Sequence, residues 1–473
     1  MLFKKISLAL IAVAIFTHTE AQKKWSLKEC VDYALENNLQ IKQTGINTDI
    51  TRVNYNQSFA AFFPSINGSA NQSFNYGRSV DPTTNVYSNQ NINGLQGSIS
   101  ADVTIFNGLL LQNTLKQYKL DYAAGKYDID KAKNDIAMSA VADYLSVLYA
   151  QENLKLANDR VDITTKQRNN IKLQVDAGNL AQGNLLDIES QVALEELGVV
   201  NAENTLRQAF LSLTQVMNLD SAEGFAIDPP IVTLPDQSVL ALTPEAIYAT
   251  SQGIMPEIKS SELKFQSSEK SISIARASYY PRLSAFGQLS SNYSNQSKQL
   301  DGPPVITGYS FSGQVTASGE EVLSPDYKIN YKYTSFSDQV NNNFNKAFGF
   351  GLTIPIFNSL NAKSNVDRAK LTMKYAGFTL DLQKQLLYKS IQQAHIDALN
   401  SSKKYQAATK SVDALKTSFS YTEKKFNVGM INTVDYTTTK NNLAKAESDL
   451  LQAKYELIFR IKVLDFYMGK PLM

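Results

Sequence analysis

Asp187 and Asp435 are the side chains whose type and placement most invite a chemical reading. Each follows a glycine that interrupts a long helical pattern, Gly178 in one case and Gly429 in the other. Asn184 stands three residues before Asp187 and Thr438 three residues after Asp435, a spacing that puts each pair on one helix face. Carboxylates so placed can draw in a cation or repel a second carboxylate. Solvated acids on ordinary helix surface would show the same spacing. Acid–base or nucleophilic catalysis needs further groups, and the chain is short of them. Two His and one Cys exclude Cys/His metal sites and disulfide frameworks. Cys30 has no second functional group beside it and reads as a small buried helix residue. His395 reads as a surface or seam residue of a long helix. Gly349-Phe350-Gly351 lacks the spacing of a phosphate-binding loop and reads as a strand lying close against its neighbour. No enzyme, cofactor or metal site is expected.

The elements that hold these residues are unusual for a chain of 473 residues. Lys plus Arg at 46 against Asp plus Glu at 44 leaves a net charge of +2, which gives no field for nucleic acid. Residues 1–21 have the form of a secretory signal peptide: Lys4 and Lys5, an apolar run from Ile6 to Phe16, then Thr19-Glu20-Ala21 before the cleavage point. No later stretch approaches the roughly 18 apolar residues of a spanning helix, so membrane insertion must use strands. Cys30 lies too far past the apolar run for a lipoprotein anchor.

Compared with itself, the chain matches in two long blocks. Phe63-Pro64-Ser65-Ile66 answers Tyr280-Pro281-Arg282-Leu283, and Ile105-Phe106-Asn107 answers Ile356-Phe357-Asn358. From there the offset stays at about 251 residues, pairing Gly178 with Gly429 and Leu206 with Leu457. A first repeat over 22–227 and a second over 243–473 are predicted, joined by a Pro-rich linker at 228–242. The second repeat carries an insertion between Pro281 and Ile356, read as a long exposed loop. Each repeat opens with a short helix. Ser26 and Glu29 make a capping box with Trp25 placed to staple on Cys30, and Thr243 caps with Pro244 at the first helical position.

Strand pairs follow at about 64–106 and 281–357. Ile66, Gly68, Ala70, Phe74 and Tyr76 alternate with Ser and Asn, as do Ile99, Ala101, Val103 and Ile105 on the return. In the second repeat Leu283, Ala285, Gly287, Leu289 and Tyr293 share a face, as do Phe348, Phe350, Leu352, Ile354 and Ile356. Four strands of about ten residues suit a tilted membrane crossing, although a soluble sandwich would alternate in the same way. Four strands cannot close in lipid without open edges, so copies must share a barrel. Two copies give eight strands, barely wide enough for packed side chains, and three give twelve.

Long helical hairpins are predicted over about 109–218 and 360–467. Their first arms contain no Pro, and at 1.5 Å per residue each runs roughly 100 Å. Tyr405, Ala408, Val412, Leu415, Phe419, Thr422 and Phe426 keep coiled-coil spacing. Leu185, Val192, Val199 and Leu206 recur every seven residues, as do Tyr436, Leu443, Leu450 and Leu457.

This plan resembles the TolC family of outer-membrane efflux ducts. The resemblance is carried by the duplicated strand–helix order, Phe63-Pro64 and Tyr280-Pro281, the two Ile-Phe-Asn helix starts, and the tip turns Val175-Asp176-Ala177-Gly178 and Phe426-Asn427-Val428-Gly429. It covers Ser26 to Gly469-Lys470-Pro471. Asn75 to Pro82 looks like an extracellular loop of the Bacteroidetes branch. The resemblance implies a mixed α and β fold in a homotrimer: a 12-stranded transmembrane β-barrel continuing into a long periplasmic α-helical barrel. It implies an outer membrane of a Gram-negative bacterium, with a passive exit duct serving an inner-membrane pump, most often of the RND type, through a periplasmic adaptor protein. A duct serving an ABC transporter in type I protein secretion, and a membrane-anchored coiled-coil structural or adhesive protein, are the other readings. In the family, acids six and nine residues past the tip glycine line the periplasmic constriction, positions held here by Asn184, Asp187, Asp435 and Thr438. The family's closed-tip lock uses Tyr and Arg where this chain has Phe426 and Ile431, so apolar packing is expected in its place.

Overall fold

The computed structural model describes residues 24–80, 85–220, 225–228 and 234–471. The predicted signal peptide, linker residues 229–233 and the Asp81-Pro82 part of the first loop lie outside the described residues. In chain order the elements are α1 (Leu27–Asn37), α2 (Leu39–Ala60), β1 (Ser65–Asn75), β2 (Ile92–Asn107), α3 (Leu110–Asp176), α4 (Gln182–Met217), α5 (Pro244–Ile254), α6 (Pro256–Arg276), β3 (Arg282–Ser294), β4 (Val305–Val315), β5 (Glu321–Lys328), β6 (Asn345–Thr353), α7 (Asn361–Asn427) and α8 (Thr433–Tyr467). Shorter pieces are named by residue. The chain divides into two compact units. One holds the stretch ending at Val53, Tyr118–Ser268 and the stretch from Thr372 on; the other holds Asn54–Gln117 and Glu269–Leu371.

The first unit is helical. Ser26 caps α1 in a full capping box with Glu29, and Trp25 packs on the core that includes the buried Cys30 thiol. Thr243 caps α5 through its side chain, with Pro244 in the first turn. α3 and α7 are 67 residues each, and α4 and α8 return at 36 and 35 residues. The heptad positions face inward: Leu185, Val192, Tyr436, Leu443 and Leu457 are buried. Two apolar cores form. In one, Cys30, Val31 and Ala34 of α1 meet Tyr144, Val147 and Leu148 of α3 and Leu213 and Met217 of α4. In the other, Ile247 of α5 and Ile258 of α6 meet Ile391 of α7 and Leu457, Ile461 and Leu464 of α8. Each fully buried side chain of this size contributes about 1.5–3 kcal/mol. His395, expected at a surface or seam, is buried at 9% exposure, because its stretch of α7 is covered by the second core rather than by solvent.

The second unit contains an antiparallel four-stranded sheet in the order β6-β3-β2-β1. Register aligns the apolar positions across it: Ile66 lies opposite Ala101, Ala101 opposite Gly287, and Gly287 opposite Phe348. Ile99 and Leu289 pair in the next such row, Val103, Ala285 and Phe350 in another. The opposite face carries Asn67, Ser69, Ser98, Ser100, Gln288 and Ser290, and Ser69 and Ser98 join hydroxyls at 2.8 Å. The apolar face is uncovered: Phe348 is 86% exposed, and Phe350 and Ile66 are 71% exposed. Gly349 is small for a reason, since a Cβ there would stand 2.8 Å from the Phe286 ring.

The strands differ from expectation at three places. Between Thr104 and Phe106 the β2–β3 register shifts, so Phe106 and not Ile105 lies opposite Leu283; a bulge inserts one residue and breaks strict alternation. Strand β6 ends at Thr353, leaving Ile354 and Ile356 outside it, because Pro355 between them has no N–H to give a ladder. The predicted long loop is largely built structure. β4 and β5 pair as a hairpin, Lys298–Leu300 pairs with Tyr331–Tyr333, and Phe336–Asn342 is a short helix.

Both strand-to-helix turns use the same left-handed backbone. Gly108 and Leu109 have φ of 66° and 64°, and Ser359 and Leu360 have 52° and 63°. A Cβ at Gly108 would stand 2.9 Å from the Ala277 carbonyl oxygen, so this turn needs glycine for space as well as for φ.

Candidate functional site

The hairpin tips are built by helix termination. Gly178 and Gly429 adopt φ of 75° and 73°, which lets the chain turn back on α3 and α7. The Gly178 N–H donates to Val175 O at 2.9 Å and Asn179 N–H to Gln174 O at 2.8 Å; Gly429 N–H donates to Phe426 O and Met430 N–H to Lys425 O, both at 2.9 Å. This is the Schellman pattern at both tips. The returning helices start differently. The Asn432 side chain accepts the Asp435 N–H at 2.8 Å, a true N-cap, whereas Ala181 at the head of α4 has no side-chain cap.

Apolar packing secures the tip. Ile171, Leu185 and Ile188 are buried together, with Val175, Leu180 and Phe426 packed on them. Tyr436 is buried at 3% exposure, its ring 4.6 Å from that of Phe426 and 5.4 Å from that of Phe419. Burial pushes its hydroxyl up to about 12, the Glu423 charge adds to the effect, and a hydrogen bond with Gln167 opposes it. A cleft of about 670 Å³ runs beside these rings and is lined by Asn184, Phe426, Gly429 and Ile431 among others. The cleft brings these four predicted residues together. Asp187, Asp435 and Thr438 are not in its lining and stand on exposed helix surface.

Sequence reasoning missed a polar layer further along the helices. Lys440 of α8 is 7% exposed and Thr164 of α3 is fully buried. The Lys440 ammonium donates to Thr164 Oγ1 at 2.6 Å, and Thr164 Oγ1 donates to Arg160 O at 2.8 Å. The Arg160 guanidinium donates to the Ala444 carbonyl and, at 2.9 Å, to Ser448 Oγ. Desolvation lowers the Lys440 pKa from the usual lysine range; Arg160 lowers it further and Glu195 opposes them. The available signal was heptad phase: Lys440 falls between Tyr436 and Leu443, where a coiled-coil seam expects an apolar residue.

Among the described residues no helix is long and apolar enough to cross a membrane, and no group of three or more His, Cys, Asp or Glu could hold a metal.

Comparison with known proteins places these features in a family. The model described as "Outer membrane efflux protein" matches residues 30–219 and 252–470. Outer membrane protein TolC of Vibrio cholerae is 21% identical over 472 residues, 98% of this chain and 95% of that protein. An uncharacterised protein of Haemophilus influenzae is 21% identical over 278 residues, and the chain spans only 59% of its length. Among solved structures, CusC has a TM-score of 0.73 at 15% identity, covering 94% of this chain and 92% of that one. The Campylobacter jejuni CmeC outer membrane channel has a TM-score of 0.71 at 17% identity, covering 94% and 85%. The fold is the one these channels share.

Proposed function

The chain belongs to the outer membrane efflux protein family, and from that premise we propose that three copies close a passive exit duct across the outer membrane of a Gram-negative bacterium. The observation that carries this reading is the four-stranded sheet. It has a continuous, uncovered apolar face and two open edges, β6 and β1. In lipid the apolar face is at home, but the unpaired backbone at each edge is not, because nothing there replaces water as a partner. Identical neighbours remove both edges, β6 of one copy pairing with β1 of the next. Three copies give a twelve-stranded barrel whose Asn- and Ser-rich face lines a wet lumen.

The long hairpins α3–α4 and α7–α8 then form a periplasmic α-helical barrel, and the chain is an internal duplication of 22–227 and 243–473 about the linker 228–242. The matched left-handed turns at Gly108-Leu109 and Ser359-Leu360 and the two Schellman tips support the duplication. At the periplasmic end, Asp187 and Asp435, with Asn184 and Thr438, are assigned to the constriction, where threefold symmetry makes six carboxylates that attract cations. The tips close by apolar contact around Phe426 and Ile431 rather than by a hydrogen-bonded lock. With no energy source of its own, the duct works with an inner-membrane pump, of the RND type, through a periplasmic adaptor protein.

The test is native mass in detergent together with planar-bilayer conductance of the purified protein. A trimer that conducts in at least one state supports the duct; a monomer, or a trimer silent in every state, overturns it.

A further inference from the structure

We propose that the cleft beside the Gly108-Leu109 turn binds the phosphate of a membrane phospholipid, whose acyl chains continue along the apolar face of the sheet. The proposal rests on the reading that the sheet lies in the outer membrane and names a ligand that this reading leaves open. It does not depend on how copies meet.

Strand β2 leads into the cleft. Phe106 lies opposite Leu283, in line with the rows that go on through Ala285, Gly287 and Leu289, so Phe106 carries the apolar face to the strand end. Beyond it the chain turns through Gly108 and Leu109 against the end of α6. A Cβ on Gly108 would stand 2.9 Å from both the Ala277 carbonyl oxygen and Tyr280 Cβ, a fit close enough to fix the two walls. Between them is a cleft of about 470 Å³, lined by Phe106, Leu109, Asn113, Ser273, Arg276 and Tyr280 around Gly108. Its apolar groups are uncovered: Phe106 is 41% exposed, Leu109 54% and Tyr280 56%. Leu109 is held there at a φ of 64°, a left-handed backbone that strains a leucine.

Apolar surface alone would admit any apolar partner, and charge narrows the choice. Segments 105–113, 273–283 and 354–363 come together at this end of the sheet. They contain Arg276, Arg282 and Lys363 and no Asp or Glu. Among the described residues the exposed Arg276 has no hydrogen-bond, ion-pair or aromatic partner. By contrast Arg78 and Lys346, at the far end of the strands, lie over the Tyr87 and Phe344 rings at 5.1 and 5.2 Å.

Arg276 therefore offers a complete guanidinium fork, and Ser273, three residues earlier on the same helix face, offers a hydroxyl. A planar fork of N–H donors beside a hydroxyl suits a phosphate. A phospholipid meets both demands, since it places an anion directly against alkyl chains, at the depth where aromatic and basic side chains gather in membrane proteins. A soluble anion would leave Phe106 and Leu109 in water, and an uncharged lipid would leave Arg276 unpaired.

The experiment is native mass spectrometry of the full-length protein in detergent, titrated with dioleoyl phosphatidylglycerol. Arg276→Gln is expected to need about tenfold more lipid than the wild type for the same retention, the loss of one charge-assisted contact. Ser273→Ala should fall between them and carries the test if Arg276→Gln does not fold; Arg78→Gln, at the far end, should match the wild type. Millimolar inorganic phosphate should not displace the lipid, and dioleoylglycerol, which has the chains without the phosphate, should not distinguish wild type from Arg276→Gln. Equal retention of phosphatidylglycerol by wild type, Arg276→Gln and Ser273→Ala overturns the site and leaves the duct intact. Displacement by inorganic phosphate makes it a site for free anions, and retention of dioleoylglycerol as strong as that of the phospholipid makes it a purely apolar one; either overturns the proposal. A protein that fails to float with liposomes of the same phospholipid removes both the site and the membrane reading it rests on.

Discussion

The Lys440 ammonium meets the Thr164 hydroxyl at 2.6 Å inside the helical pack, across a sequence separation of 276. A buried ammonium is tolerated only while its hydrogen bonds are made, because water no longer solvates it. Thr164→Val removes the acceptor and keeps the shape, so it should cost about 1–3 kcal/mol. Lys440→Met removes the charge and keeps most of the volume, and should be neutral or stabilising by about 1–4 kcal/mol. In the double variant the Thr164→Val cost should largely disappear. Thermal unfolding of the four proteins in one detergent measures this cycle; equal costs of Thr164→Val in both backgrounds would mean that the hydroxyl does not serve Lys440.

Tyr436 makes the tip sensitive to alkali. Burial pushes its hydroxyl up to about 12, against about 10 for an ordinary tyrosine, so the folded state holds its proton where the unfolded state has lost it. The stabilisation from keeping Tyr436 neutral is complete below pH 10 and is lost as pH rises toward 12. Ultraviolet absorbance should show phenolate from Tyr436 appearing only near pH 12, as the difference between the wild type and Tyr436→Phe. The Tyr436→Phe variant should also lose stability less steeply across pH 10–12. A difference spectrum with its midpoint near pH 10 would place the hydroxyl in solvent.

Much of this fold was legible because its periods are simple. Ser65 to Asn75 alternates with Gln72 as the one polar residue on the apolar side, and one face of a sheet follows from that alone. Leu110 to Asp176 has no Pro, so nothing stops the helix until Gly178 supplies a left-handed turn. Other features depend on partners that a local pattern does not name. The bulge at Thr104–Phe106 arises from register against β3. The β4–β5 hairpin does alternate, Tyr309 and Phe311 against Ser310 and Ser312, but it lies in the stretch inserted in the second repeat and its strand β5 contains Pro325, which weakens a strand reading. Heptad phase puts Lys440 at a seam position between Tyr436 and Leu443, but only the fold shows that Thr164 is its partner. At the candidate constriction, spacing put Asp187 and Asn184 on one face of α4. It could not tell that Asn184 would line the cleft while Asp187 stayed outside it.

Tyr144 and His395 differ in a way that stability can read. The Tyr144 hydroxyl donates to Asp228 O at 2.6 Å, and burial raises its pKa well above the usual tyrosine range. His395, at the matching position of the second half, has a buried Nε2 with no hydrogen-bond partner. Tyr144→Phe should therefore cost about 0.5–1.5 kcal/mol, the usual net worth of a lost hydrogen bond. His395→Leu removes a buried polar atom that has no hydrogen-bond partner, and should raise stability by about 1 kcal/mol. Denaturation midpoints in detergent decide both. A destabilised His395→Leu would show that the imidazole makes a bond through ordered water.

Asp187 and Asp435 carry the prediction that bears most directly on transport. Both are exposed and are not in the lining of the cleft beside the tip, so within one chain they are ordinary solvated acids. Their assigned role depends on symmetry, which would bring six carboxylates toward one axis. There the summed charge would raise local cation concentration and favour a divalent ion shared between carboxylates. Asp187→Asn combined with Asp435→Asn keeps size and hydrogen-bonding capacity while removing the charge. The double variant should conduct with weaker cation selectivity, shown by a reversal potential closer to zero in a salt gradient, and millimolar divalent cations should no longer block it. Each single variant should fall between. Because the acids are exposed, stability should change by less than about 0.5 kcal/mol, so a loss of selectivity could not be blamed on misfolding. If the wild type and double variant share the same reversal potential and the same divalent block, the constriction is formed by other residues.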